Sequence, residues 1–124
     1  ESIVELLVYD IESKIQTKIP ISDISFPSNT SMAQIPDNRL FCFGFKFPDS
    51  KICCIIEKNY DILPLTYSAT SREESSCIYF ENSIYIFGGS DSNGLPLAVS
   101  EKFDLFDLKY FALPDMIAPA KRCS

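Results

Sequence analysis

Asn82-Ser83-Ile84-Tyr85-Ile86-Phe87-Gly88-Gly89 is the stretch that decides how this chain reads. Between the asparagine and the glycine pair stand four apolar residues, aromatic or β-branched. Such a run is too short for a stable helix, and its residue types suit a pleated surface. Both faces of the run are apolar, so the strand is expected to be covered on both sides, as happens when sheets stack. Further out, Asn38-Arg39-Leu40-Phe41-Cys42-Phe43-Gly44-Phe45 repeats the pattern 44 residues earlier, and Glu57-Lys58 precedes Glu101-Lys102 by the same interval. Val8 to Pro20 sets against Lys102 to Pro114 at an interval of 94, about two periods. Tyr60-Asp61-Ile62 answers both Tyr9-Asp10-Ile11 and Phe103-Asp104-Leu105, and Arg72 and Arg122 lie 50 apart, each ahead of a new unit. The spacing predicts one supersecondary unit repeated with loops of variable length.

The best-defined unit reads as four strands: Ser76 to Phe80, Ile84 to Phe87, Ala98 to Leu105 and Lys109 to Leu113. The middle unit reads as Met32 to Ile35, Leu40 to Phe43, Ile52 to Tyr60 and Leu65 to Tyr67. Ile3 to Tyr9 and Ile15 to Ile19 supply only the last two strands of a unit. No helical stripe of adequate length is present, and the eight prolines fall at turns or strand ends.

Composition narrows the chemistry. Of 124 residues, 46% are hydrophobic, an ordinary share for a chain that packs a core. Lys and Arg total 11 against 17 acidic residues, a net charge of −6, so neither nucleic acid nor a membrane surface is an expected partner. No run approaches the roughly 20 apolar residues of a membrane helix. Histidine is absent, which removes the commonest general base and metal ligand. Neither a metal nor another cofactor is expected. The five cysteines are odd in number and lack C-x-x-C spacing, and four of them lie in apolar runs. They read as buried free thiols, which points to a reducing, cytoplasmic compartment. The first residue is Glu1 rather than Met, so a processed or longer protein is expected.

The order Arg72, apolar strand, Asn82, Gly88-Gly89, Glu101, Phe103-Asp104, Tyr110, Leu113-Pro114, Met116 resembles a kelch repeat. The resemblance implies an all-β fold, a kelch-type β-propeller segment of four-stranded antiparallel blades. It spans the last two strands of a blade plus linker at 1–27, a degenerate blade at 28–70, a well-matched blade at 71–118, and the start of another at 119–124. The family's tryptophan is Tyr110 here, Gln16 in the first unit, and Thr66 or Tyr67 in the second. The second unit has Gly44-Phe45 for the glycine pair and no arginine before its first strand. About two and a half blades cannot close a ring of roughly 4 to 8. Further blades, from the same longer chain or another subunit, are therefore expected to cover the apolar blade faces.

Each motif residue has a physical role to fill. Gly88 and Gly89 end a strand where the chain turns sharply and positive φ is needed. An aromatic at Tyr9, Tyr60 or Phe103 fills the space between blades, with Asp10, Asp61 or Asp104 closing the next turn. A buried Arg72 requires carbonyls or an acid such as Glu101. The paired carboxylates Glu73-Glu74 and Asp104/Asp107 invite an acid–base reading, but neighbours in sequence need not converge. The loop Ser90 to Pro96 lacks the lysine of a phosphate loop and the ligand pattern of an EF-hand.

The expected function is protein–protein interaction, with no enzymatic activity in this stretch. Glu74, Ser75, Ser90, Asp91, Ser92 and Asn93 are the candidate contact residues, joined by the loop Lys46 to Lys51. The acidic balance favours a basic protein partner. Kelch propellers often serve as substrate receptors of ubiquitin ligases or as cytoskeletal scaffolds, so the resemblance implies a receptor or scaffold. The alternative is a propeller-based enzyme, oxidase-like or hydrolase, with its catalytic residues outside this stretch.

Overall fold

The computed structural model describes residues 4–10, 14–21, 30–48, 50–66 and 70–119. Among the described residues, ten strands form three antiparallel sheets in chain order. β1 (Val4–Asp10) and β2 (Ile15–Ile21) make a two-stranded sheet. β3 (Ser31–Ile35), β4 (Arg39–Lys46), β5 (Ser50–Ile56) and β6 (Ile62–Pro64) make the second. β7 (Ser76–Phe80), β8 (Ser83–Phe87), β9 (Ser100–Asp104) and β10 (Lys109–Leu113) make the third. No helix occurs among the described residues, none therefore long and apolar enough to cross a membrane.

The turns show why the strands stop where they do. Phe80 pairs with Ser83 across Glu81-Asn82, both left-handed at φ 46° and 64°, the geometry whose twist matches a tight hairpin. Asp37-Asn38 repeats it at φ 69° and 56°, one residue longer between Ile35 and Arg39. In the third sheet Asp104 pairs with Lys109, and its Oδ1 accepts the Phe106 and Asp107 N–H groups at 2.8 and 3.0 Å. The corresponding pair in the first sheet is Asp10 with Ile15, 94 residues earlier, and Lys14 (φ 58°) stands where Leu108 (φ 55°) does.

That Asp104 turn makes stability depend on pH. The Asp107 and Phe106 amides hold the Asp104 carboxyl below its ordinary range. A group whose pKa is depressed by folding contributes fully above its unfolded value, about pH 4, and loses that contribution as pH falls through the folded value. Asp104→Ala is therefore expected to melt lower than the parent at pH 7. The two melting temperatures should converge as the pH falls through the depressed folded value. A gap that persists unchanged in acid would show that the carboxylate is not the source.

The second and third sheets pack face to face. Ala33, Ile35, Phe41, Phe43, Cys53 and Ile55 meet Ile84, Ile86 and Phe103 in one cluster. Phe103 is 1% exposed, its ring 5.6 Å from Phe41 and 4.7 Å from Tyr110. Cys53 Sγ lies 2.9 Å from the Tyr110 hydroxyl, a hydrogen bond between the two sheets. Cys42, Ile52, Cys54 and Ile56 form a second cluster on the opposite face of the second sheet. Adjacent Cys53 and Cys54 thus serve different faces, as strand alternation requires. Cys42, Cys53, Cys54 and Cys77 are free thiols. Burial pushes Cys53 and Cys77 up to about 12, so both stay protonated at neutral pH.

The middle unit departs from expectation after Ile56. The sequence pattern carries the third strand to Tyr60 and places the fourth at Leu65 to Tyr67, whereas β5 ends at Ile56 and β6 covers Ile62–Pro64. Asn59 is the reason: its side chain bonds both the Asp61 N–H and the Asp61 carboxylate, and Glu57 N–H closes the loop onto Asp61 O at 2.7 Å. Tyr60 is left-handed (φ 70°) and 42% exposed, so it does not fill space between sheets. By register the station of Phe103 is held by Ile56, since Leu40 pairs with Ile56 as Ile84 pairs with Phe103. The side chain of Tyr9, the residue Tyr67 and the unit start at Arg122 lie outside the described residues.

Candidate functional site

The strand ends after β4 and β8 and the segment before β7 come together at one end of the two stacked sheets. β8 stops at Gly88 (φ 63°) and Gly89 (φ 110°), and only glycine enters such regions freely. The turn directs Ser90 alongside Glu73, where the two exchange N–H···O bonds of 3.0 and 2.7 Å. Gly89 is packed from above as well: a Cβ there would sit 2.7 Å from Glu73 O and 3.2 Å from the Arg72 side chain. Backbone strands this close leave no room for a methyl group.

Arg72 lies between the sheets. It is 0% exposed, with Nη2 2.9 Å from Glu101 Oε1 on β9 and its guanidinium 5.8 Å above the Phe43 ring on β4. Carboxylate and aromatic face together offset the desolvation of the charge. The next residue, Glu73, reaches the other way and accepts the Phe47 N–H at 2.9 Å with Oε2. Ser31 Oγ donates to Ser75 O, joining the starts of β3 and β7. The loop after β4, the loop after β8 and the segment 70–75 are thus fastened side by side.

Beyond this frame the loop 91–96 projects. Asp91 Oδ1 accepts the Asn93 and Leu95 N–H groups at 2.9 and 3.0 Å, and Asp91 N–H donates to Leu95 O. Ser92, Asn93, Gly94 and Leu95 are exposed at the tip, and Asp91 and Glu74 are half-buried. Ser75 and Ser90, expected as contact residues, are buried in the frame (6% and 4% exposed). Both serve the frame through their backbone bonds, so the accessible part of the expected set is Glu74, Asp91, Ser92 and Asn93. Glu74 is left-handed at φ 58°. In the sequence Glu73 stands out only as a carboxylate neighbour of Glu74. Its partner Phe47 is 26 residues away, and no local pattern announces that contact.

The carboxylates here do structural work: Glu73 holds Phe47, Glu101 holds Arg72, and Asp104 holds its own turn. No three His, Cys, Asp or Glu side chains among the described residues converge to hold a metal ion. No protein-family model matches the chain, and no curated protein matches it.

Proposed function

We propose that the chain is a segment of a kelch-type propeller that binds a protein partner through the loop end described above, as receptor or scaffold, in the cytoplasm. The observation that carries this reading is Glu73, whose side chain fastens the Phe47 loop and whose main chain fastens Ser90. Loops from both sheets are thereby presented together on a rigid scaffold, the arrangement in which binding residues are commonly placed. The kelch-like order of Arg72, Gly88-Gly89, Glu101, Phe103-Asp104 and Tyr110 supports the propeller part, as does the packing of two meandering four-stranded sheets. The chain's net charge of −6 suits a basic partner, while the loop end itself carries Lys46 and Lys51 beside Glu73, Glu74 and Asp91.

Asp91→Ala combined with Asn93→Ala tests it. The pair removes the acceptor that shapes the loop and one exposed tip side chain, and neither touches the buried clusters. Proximity labelling by the intact protein should lose its specific partners about tenfold or more, while the melting temperature stays within about 2 °C. Phe106→Ala, 85% exposed in the β9–β10 turn, is the control. Identical partner recovery from both variants would move the binding surface elsewhere.

A further inference from the structure

Two of the buried thiols face one another across a ladder. Cys42 on β4 is the direct partner of Cys54 on β5, and both belong to the cluster on the face of the second sheet opposite the third. Residues opposed in this way stand about 4.5–5.5 Å apart at Cα, inside the roughly 4.4–6.8 Å that a disulfide spans. Strand alternation keeps Cys53 out of the pair: it is opposite Phe43 and joins the cluster on the other face. Cys77 is opposite Ile86 in the third sheet. The Cys42 S–H donates to the Cys54 sulfur. That bond holds the Cys54 thiol below its ordinary range and, together with burial, pushes Cys42 above it. One sulfur is thus prepared as nucleophile and the other as its proton donor. The pair is 0% and 1% exposed, so reactivity depends on what covers it. Ile62 packs against the cluster from β6, a three-residue strand at the edge of the sheet. The β5–β6 ladder sets Pro64 opposite Cys54, and proline has no N–H to give. Leu63 and Pro64 are exposed. Such an edge opens at little free-energy cost, and its opening brings Cys54 within reach of a small oxidant.

We propose that Cys42 and Cys54 are a redox-active dithiol, which a hydroperoxide oxidises reversibly to a cross-strand disulfide. The Cys54 thiolate attacks one peroxide oxygen; an S–O bond forms, the O–O bond breaks, and the other oxygen leaves as water or an alcohol once protonated. Cys42 then attacks the Cys54 sulfenic sulfur. The S–S bond forms, the S–O bond breaks, and hydroxide departs with the Cys42 proton as water. The two thiols lose two electrons and two protons in all, and the hydroperoxide takes them up. With hydrogen peroxide the products are the disulfide and two waters. A thiol reductant reverses the change, the behaviour expected of a disulfide in a reducing compartment. The bond pins the hairpin whose turn carries Phe47, the residue that Glu73 holds. The proposal goes beyond the binding role and stands whether or not the loop end engages a partner.

Peptide mapping of the intact, folded protein is the direct test. The protein is treated with hydrogen peroxide, remaining thiols are blocked with N-ethylmaleimide before unfolding, and the product is digested with trypsin without reduction. Cleavage after Arg39, Lys46, Lys51 and Lys58 releases peptides 40–46 and 52–58. The expected product is these two peptides joined with the loss of two hydrogens, and separated again by dithiothreitol. Fragmentation between Cys53 and Cys54 should assign the bond to Cys54. No joined peptide, a bond to Cys53, or a bond from either thiol to Cys77 or Cys123 overturns the proposal. Two variants test the order of attack. Cys42→Ala should halt at the sulfenic acid, so dimedone labels Cys54 more than in the parent, whereas Cys53→Ala should still form the disulfide. Equal labelling of Cys54 in parent and Cys42→Ala, or loss of the disulfide in a folded Cys53→Ala protein, overturns it too. The mapping of the parent needs no substitution and decides the matter if a variant does not fold.

Discussion

Glu101→Gln is expected to destabilise the fold by about 3–5 kcal/mol, the cost of leaving one member of a buried ion pair without its counter-charge. Arg72 is fully buried, and its Nη2 lies 2.9 Å from the carboxylate that the substitution neutralises. The Phe43 ring beneath the guanidinium offsets only part of that loss, because a cation–π contact is worth about 2 kcal/mol even when desolvated. Replacing both partners, as Arg72→Met with Glu101→Leu, removes the charge together with its demand. That variant should cost less than Glu101→Gln alone. Urea unfolding midpoints of the parent and the two variants measure the comparison. A Glu101→Gln loss under about 1 kcal/mol would mean the pair is not what compensates Arg72.

Gly89→Val should lower stability by about 3 kcal/mol, from two causes that add. At φ 110° a β-branched residue is strained by about 1–3 kcal/mol. Its Cβ also meets Glu73 O at 2.7 Å, and overpacking of that kind costs about 1–3 kcal/mol more. Gly94→Val separates the causes. Gly94 has φ 79° but open space around its Cβ position, so it carries the strain without the collision. The expected difference between the two variants by chemical denaturation is about 1–3 kcal/mol. Equal losses would show that Glu73 and Arg72 yield without cost.

Strand existence was legible in the sequence because the signal is local. Ile84 to Phe87 is apolar on both faces, and the Asn82 and Gly88 that bound it both adopt positive φ. The first and last hairpins were legible for the same reason, since Asp10/Ile15 and Asp104/Lys109 pair at the interval of 94 that the sequence repeats. The middle unit misled because Tyr60-Asp61 matches Phe103-Asp104 in letters while Asn59 folds those residues into a turn. A side chain bonding two residues along competes with the strand, and residue type alone does not show which wins. At the candidate site the exposed loop was legible from its polar composition. The burial of Ser75 and Ser90 was not, because it depends on contacts with residues far off in the chain. Ser31 reaches Ser75 across 44 residues.

Under the binding role proposed above, Glu73 has a consequence for affinity. One residue bonds a neighbouring loop by its carboxylate and its own sheet's loop by its main chain. Loops joined in this way have surrendered much of their freedom before any ligand arrives, so docking forfeits less entropy than it would on independent loops. Under the proposed binding role, exchange of the exposed Ser92 or Asn93 can then alter which molecule is recognised while the supporting geometry persists, and affinity need not be rebuilt from the beginning each time.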